Sequence, residues 1–205
     1  MRSSFRLITA AVLVGVATHR GGAQTRTTWS VQGSGLYAGL RGDAYNGIDP
    51  GAGFEAQIRR KLAPVWSLGC GFQGTYHSLT QFSGNMSLQG VFCEPRRLVD
   101  INSESVFPYL SARGAVLRER LTSGTSTGSA DGATINVGTG VMMPFGNTAG
   151  SYPTLFELGA SAGYSSFGDF IVTDTRGAGS VTVSSGSGWN FVLRVGIAIG
   201  LGGSK

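Results

Sequence analysis

The stretch "WNFVLRVGIAIGL", residues 189–201, limits the possible folds more than any other part of the chain. Trp189, Phe191, Leu193, Val195, Ile197, Ile199 and Leu201 share one parity, and Asn190, Val192, Arg194, Gly196, Ala198 and Gly200 the other. A period of two marks a β-strand, whose successive side chains point to opposite faces. The second face is the informative one. A soluble antiparallel sheet turns its bulky face to the core and gives its other face to water, yet here that other face is mostly Gly and Ala, with one Arg and one Asn. Such a strand suits a place where large residues meet hydrocarbon and small ones line a narrow interior.

The same alternation recurs along the chain and predicts eight strands, at about 28–40, 52–61, 66–78, 84–96, 106–118, 133–145, 154–168 and 189–201. Polar or Gly-rich connections such as "RGDAYNGIDPG", "KLAPV" and "RERLTSGTSTGSADG" separate them. In the third strand Trp66, Leu68, Cys70, Phe72 and Tyr76 oppose Ser67, Gly69, Gly71, Gln73, Thr75 and His77. The fourth is the weakest: Met86, Leu88 and Phe92 form its bulky face against Ser87, Gln89 and Cys93, and it is expected to stop at Pro95. No run of about 18 apolar residues could form a membrane helix, while 34 glycines and only 13% charged residues fit short strands and turns.

A tilted strand of about 9–11 residues crosses a bilayer, and with no water in the hydrocarbon the sheet must close on itself. The expected fold is therefore all-β, an eight-stranded antiparallel up-and-down transmembrane β-barrel. Bulky residues are expected on the lipid side and small ones in the lumen. Trp29, Trp66, Tyr109, Tyr164 and Trp189 lie near strand ends, where interfacial girdles belong. The alternative is a soluble periplasmic lipocalin-like binding barrel with the same aromatics in its core. It needs a polar exterior, which strands three, six and eight do not supply.

Arg2 and Arg6, the apolar "LITAAVLVGVA" at 7–17 and the small residues Gly21 and Ala23 read as an export signal over residues 1–24, leaving 25–205 as the barrel. Its removal takes three arginines, so 16 Lys and Arg become 13 against 11 Asp and Glu. The pI of 9.6 is then no argument for nucleic acid, and no basic stripe with interleaved aromatics is present. Cys70 and Cys93 fall on consecutive strands, at similar depth if the hairpin is centred near residue 81. A cross-strand disulfide is open to them in an oxidising compartment, whereas a shear of one residue would part them. Neither a metal site nor a cofactor is expected, since no Cys/His cluster occurs.

The order "VFPYLSARGAVL" (106–117), a Ser/Gly loop, "ATINVGTGVMMPF" (133–145), a short turn and a further strand resembles the second half of the outer-membrane β-barrel domain of small OmpA-like and OmpX-like proteins. The resemblance implies a cell outer-membrane location with both termini in the periplasm. It also implies short periplasmic turns near 61–65, 97–105 and 146–153, and longer outward loops near 41–50, 79–85, 119–132 and 172–187. The implied partners are outer-membrane lipid and the barrel-assembly machinery, with no nucleic acid, and the chain is expected to be a monomer. Family members commonly end on an aromatic residue; this chain ends "LGGSK", so the usual insertion signal is expected to be absent or internal.

Little in the sequence points to catalysis. Gly69-Cys-Gly-Phe-Gln-Gly74 matches a dinucleotide fingerprint in letters but opens no helix. Some small outer-membrane barrels modify lipid A with a His, a Ser and a carboxylate at the outer rim, and His77 and Ser78 end the third strand there. Adjacent strand residues face opposite ways, so the two cannot partner each other, and His77 is expected as a solvated rim residue. Glu55, Arg59, Arg113, Glu157 and Arg194 all carry lumen parity. Buried charges must be paired, so these five are expected to form a salt-bridged plug, with a gated pore as the alternative. The expected role is non-enzymatic: structural, surface interaction, or limited passage of small solutes.

Overall fold

The computed structural model describes residues 27–203, apart from 81–82, 104, 125, 146–152, 175–179 and 184–185. The expected signal segment 1–24 lies outside the described residues. Eight strands make the barrel: β1 (Thr27–Arg41), β2 (Gly51–Lys61), β3 (Trp66–Ser78), β4 (Gly84–Leu98), β5 (Phe107–Ser123), β6 (Ser126–Pro144), β7 (Thr154–Phe167) and β10 (Ser187–Gly203). Each pairs antiparallel with its neighbour in order, β1 pairs with β10, and the sheet is closed. Every spanning strand therefore has partners on both sides, as the absence of water in hydrocarbon demands.

The exterior is a greasy belt. Val31, Phe54, Ile58, Phe72, Val91, Leu110, Val116, Ile135, Val137, Phe191, Leu193, Val195 and Ile197 are all exposed on it. Tyr37, Tyr76, Tyr164 and Trp189 ring its outer edge. At the opposite edge Trp29 and Trp66 lie under the guanidinium groups of Arg60 and Arg97, 5.3 and 5.9 Å from the ring centres. Aromatic bodies at the interface with cations reaching toward water are what a bilayer edge selects. Cys70 and Cys93 are direct cross-strand partners and form a disulfide. Both side chains lie on the exposed outer face, next to lipid.

Three expectations need correction. On β4 the bulky parity faces inward: Met86, Leu88 and Phe92 are buried in the lumen, while Val91 and Cys93 face out. The cause lies further along the strand, which does not stop at Pro95 but runs on to Leu98. Glu94 and Arg96 share parity with Met86, and turning Met86 to lipid would have carried two charges into hydrocarbon. Pro95 keeps its pairing with β3, but the β4–β5 ladder lapses at Glu94 and Pro95, as expected where a ladder donor is missing. Tyr109 is not in the girdle; it is buried inside, 1% exposed.

The third correction concerns length. Residues 119–132, expected as a loop, extend the β5–β6 hairpin beyond the belt, with residue-by-residue pairing up to Ser123 and Ser126. Gly124 at its tip takes a φ of 56°, the left-handed region that suits glycine. Two further strands, β8 (Phe170–Asp174) and β9 (Ser180–Val183), add to the edge of this extension. Between β1 and β2 a short 3-10 turn, η1 (Asp43–Tyr45), folds back over the lumen and buries Tyr45.

Candidate functional site in the lumen

The lumen is layered. At the outer end Leu40, Tyr45, Met86, Leu88, Leu117 and Phe167 pack into an apolar cap, supported by Ile48, Leu79 and Leu121. His77 is buried beside it, 2% exposed rather than solvated. Its Nε2 lies 3.0 Å from Thr75 Oγ1 and its Nδ1 3.1 Å from the Asp49 carbonyl oxygen. Ser78 is exposed on the other face, so the pair offers no nucleophile with its base.

Beneath the cap is a neutral hydrogen-bonded layer. Asn190 donates to Thr134 Oγ1 at 3.0 Å and to Ser165 Oγ at 2.9 Å, and accepts from Asn136. Thr134 in turn donates to Asn136 Oδ1 at 2.7 Å. A void of only about 30 Å³ adjoins these groups, roughly one water's share of liquid volume.

The centre is ionic. Glu55, Arg59, Glu94, Arg96, Arg113, Glu157 and Arg194 project inward from β2, β4, β5, β7 and β10, all of them buried. Arg96 grips Glu157 with both terminal nitrogens, at 2.7 and 2.8 Å, in a bidentate fork. Glu94 is the hub: Arg59 reaches it at 2.9 Å, Arg113 at 2.6 Å and Arg194 at 3.1 Å, and Arg96 Nε donates to it as well. Arg113 also holds Glu55 at 2.7 Å. Arg194 touches all three carboxylates, facing Glu55 at 2.9 Å as an ion pair without hydrogen-bond alignment. Ring faces complete the packing, with Arg96 4.2 Å from the Tyr109 ring centre and Arg113 3.9 Å from that of Phe92.

Glycines make this crowding possible. A Cβ on Gly69 would collide with Gln57 and Arg59, and one on Gly140 or Gly159 would collide with the Tyr109 hydroxyl. That hydroxyl donates to Glu157 at 2.7 Å. The expected residues Glu55, Arg59, Arg113, Glu157 and Arg194 thus meet in one cluster. Glu94, Arg96 and Tyr109 belong to it too; Tyr109 shares the parity of Arg113, and the charges of Glu94 and Arg96 were themselves the signal in the sequence that their face of β4 turns inward. The arrangement binds charge to charge and leaves no free nucleophile. Among the described residues no group of three His, Cys, Asp or Glu could hold a metal ion.

A closed sheet with a lipid-compatible jacket and an ion-paired lumen defines an integral outer-membrane β-barrel of the small eight-stranded class. Solved structures share this eight-stranded fold. Neisserial surface protein A matches with a TM-score of 0.53 at 18% identity, over 85% of this chain and 98% of that one. Ail, the attachment invasion locus protein of Yersinia pestis, matches at 0.50 and 16%, over 83% and 96%. AlkL, solved in lipid bilayers, matches at 0.51 and 11%, over 94% and 99%. At such identities the likeness is one of fold. No family model and no curated protein matches the chain.

Proposed function

We propose that this protein is a non-conducting, non-enzymatic outer-membrane barrel whose working surface is its outer rim. The observation that carries the reading is the filled lumen. Seven ion-paired side chains occupy its centre, and an apolar cap of Tyr45, Met86 and Phe167 closes it above. A solute would have to break several charge pairs at once, each costly to separate in a dry interior. The β5–β6 extension with β8 and β9 supplies projecting surface instead. Two barrels of like fold carry surface or attachment in their names, which supports a role in surface interaction. Outer-membrane lipid is the expected surround, the barrel-assembly machinery the expected means of insertion, and a monomer the expected state.

Planar-bilayer recording of the purified barrel tests this reading. Insertion without stable conductance steps is expected. Reproducible open steps from the unmodified protein would overturn it in favour of a gated pore.

A further inference from the structure

At the end of the barrel opposite the cap, below the ionic centre, the lumen widens into a cavity of about 100 Å³. This is the end that carries the short turns, hence the periplasmic side. Its wall is two-sided. Arg59 and Lys61 of β2, with Ser67 of β3, form a polar, cationic arc. Leu98, Phe107, Met142 and Leu155, one each from β4, β5, β6 and β7, form an apolar arc facing it. No carboxylate lines the cavity.

The charge of the lumen is unbalanced toward this end. In the ionic centre four buried arginines meet three buried glutamates, the fourth buried glutamate, Glu119, lying at the outer end, and Lys61 adds a further cation that pairs with no carboxylate among the described residues. Arg59, at the cavity floor, reaches one carboxylate only, and otherwise donates to Ser67, Gln57 and the Glu94 carbonyl oxygen. A half-buried cation without a partner is costly, and an anion entering from the periplasm would pair with Lys61 and meet the positive charge of Arg59. The facing apolar arc adds a second requirement, a hydrophobic tail. The small volume of the recess favours a short tail over a long one.

We infer that this vestibule is a binding site for a small amphiphilic anion, a short-chain carboxylate whose head meets Lys61 and Arg59 and whose tail lies on Leu98, Phe107, Met142 and Leu155. The site stands apart from the question of conduction, because its floor is the ionic layer itself.

Equilibrium dialysis of hexanoate against the folded barrel in phosphatidylcholine nanodiscs, with empty nanodiscs subtracted, tests the assignment. Saturable binding of one hexanoate per barrel is expected, at least tenfold tighter than acetate and absent for hexylammonium. Lys61→Glu and Met142→Glu should each weaken it tenfold or more. Lys61→Gln, a milder change at the mouth, should weaken it several-fold in a barrel that keeps its heat-dependent gel mobility. Acetate binding as well as hexanoate would mean an adventitious anion only and would overturn the amphiphile site. No saturable binding above empty nanodiscs, or binding unchanged in all three variants, would overturn it too.

Discussion

Arg96 and Glu157 face each other across the lumen from β4 and β7, joined by two parallel hydrogen bonds of 2.7 and 2.8 Å. Neither is more than 1% exposed. Breaking this pair from one side leaves Glu157 with only Arg194 at 3.2 Å and the Tyr109 hydroxyl, and removing one partner of a buried pair costs up to about 3–5 kcal/mol. Arg96→Met is therefore expected to lower the stability of the folded barrel by that order in urea titrations from lipid vesicles. Arg96→Met combined with Glu157→Gln should recover part of the loss, since the second change removes the under-paired charge. A double variant as unstable as the sum of both single ones would show that the pair is not coupled.

Tyr109 owes its place to glycines on the two strands beside it. Its hydroxyl occupies the space where Gly140 of β6 and Gly159 of β7 lack side chains, and from there it donates to Glu157. Gly159→Ala should force the ring to shift and cost about 1–3 kcal/mol by overpacking. Tyr109→Phe takes away the one atom in conflict there, so Gly159→Ala is expected to cost less in that background. The same vesicle-based unfolding measurement reads both; equal costs in the two backgrounds would refute the steric account.

The sequence and the structure agree where one face of a strand is uniformly bulky. The exterior of β3 and β10 was legible from parity alone, because Phe72 or Leu193 has no other suitable surroundings. β3 has the expected bounds, and most of the others differ by one to three residues at an end. β4 misled because apolar residues serve two surfaces in this barrel, the lipid belt and the cap inside the outer lumen. Met86 and Leu88 belong to the second, and only Glu94 and Arg96 reveal it. The outer half of the β5–β6 hairpin was illegible for a different reason. Above the belt no hydrocarbon imposes alternation, so "TSGTSTGSADG" pairs through its backbone while resembling a loop in composition. Tyr109 shows the limit of reading aromatics by position: at a strand end the girdle and the lumen are one residue apart.

Glu119 supplies a pH-dependent element outside the lipid belt. Its neighbour Arg118 pairs with Asp131 at 2.8 Å with both side chains well exposed, which places this level of β5 in water. Glu119 itself points inward and is buried, with no ion pair among the described residues. Burial pushes its carboxyl up to about 7. Tyr45, under the cap, is raised as well, by burial first and by the charge of Glu119 second. Between the unfolded value of about 4.3 and the folded value of about 7, the folded state holds a proton that the unfolded chain has released. Stability from this group is therefore complete below the unfolded value and is lost as pH rises through about 7. The shift corresponds to about 3–4 kcal/mol. Amide exchange at Leu40, Tyr45 and Leu117, corrected for intrinsic rates, should show the cap opening more readily at pH 8 than at pH 5. Glu119→Gln should flatten that dependence while leaving the ionic centre protected. A variant whose cap retains the full pH dependence would assign the titration to another group.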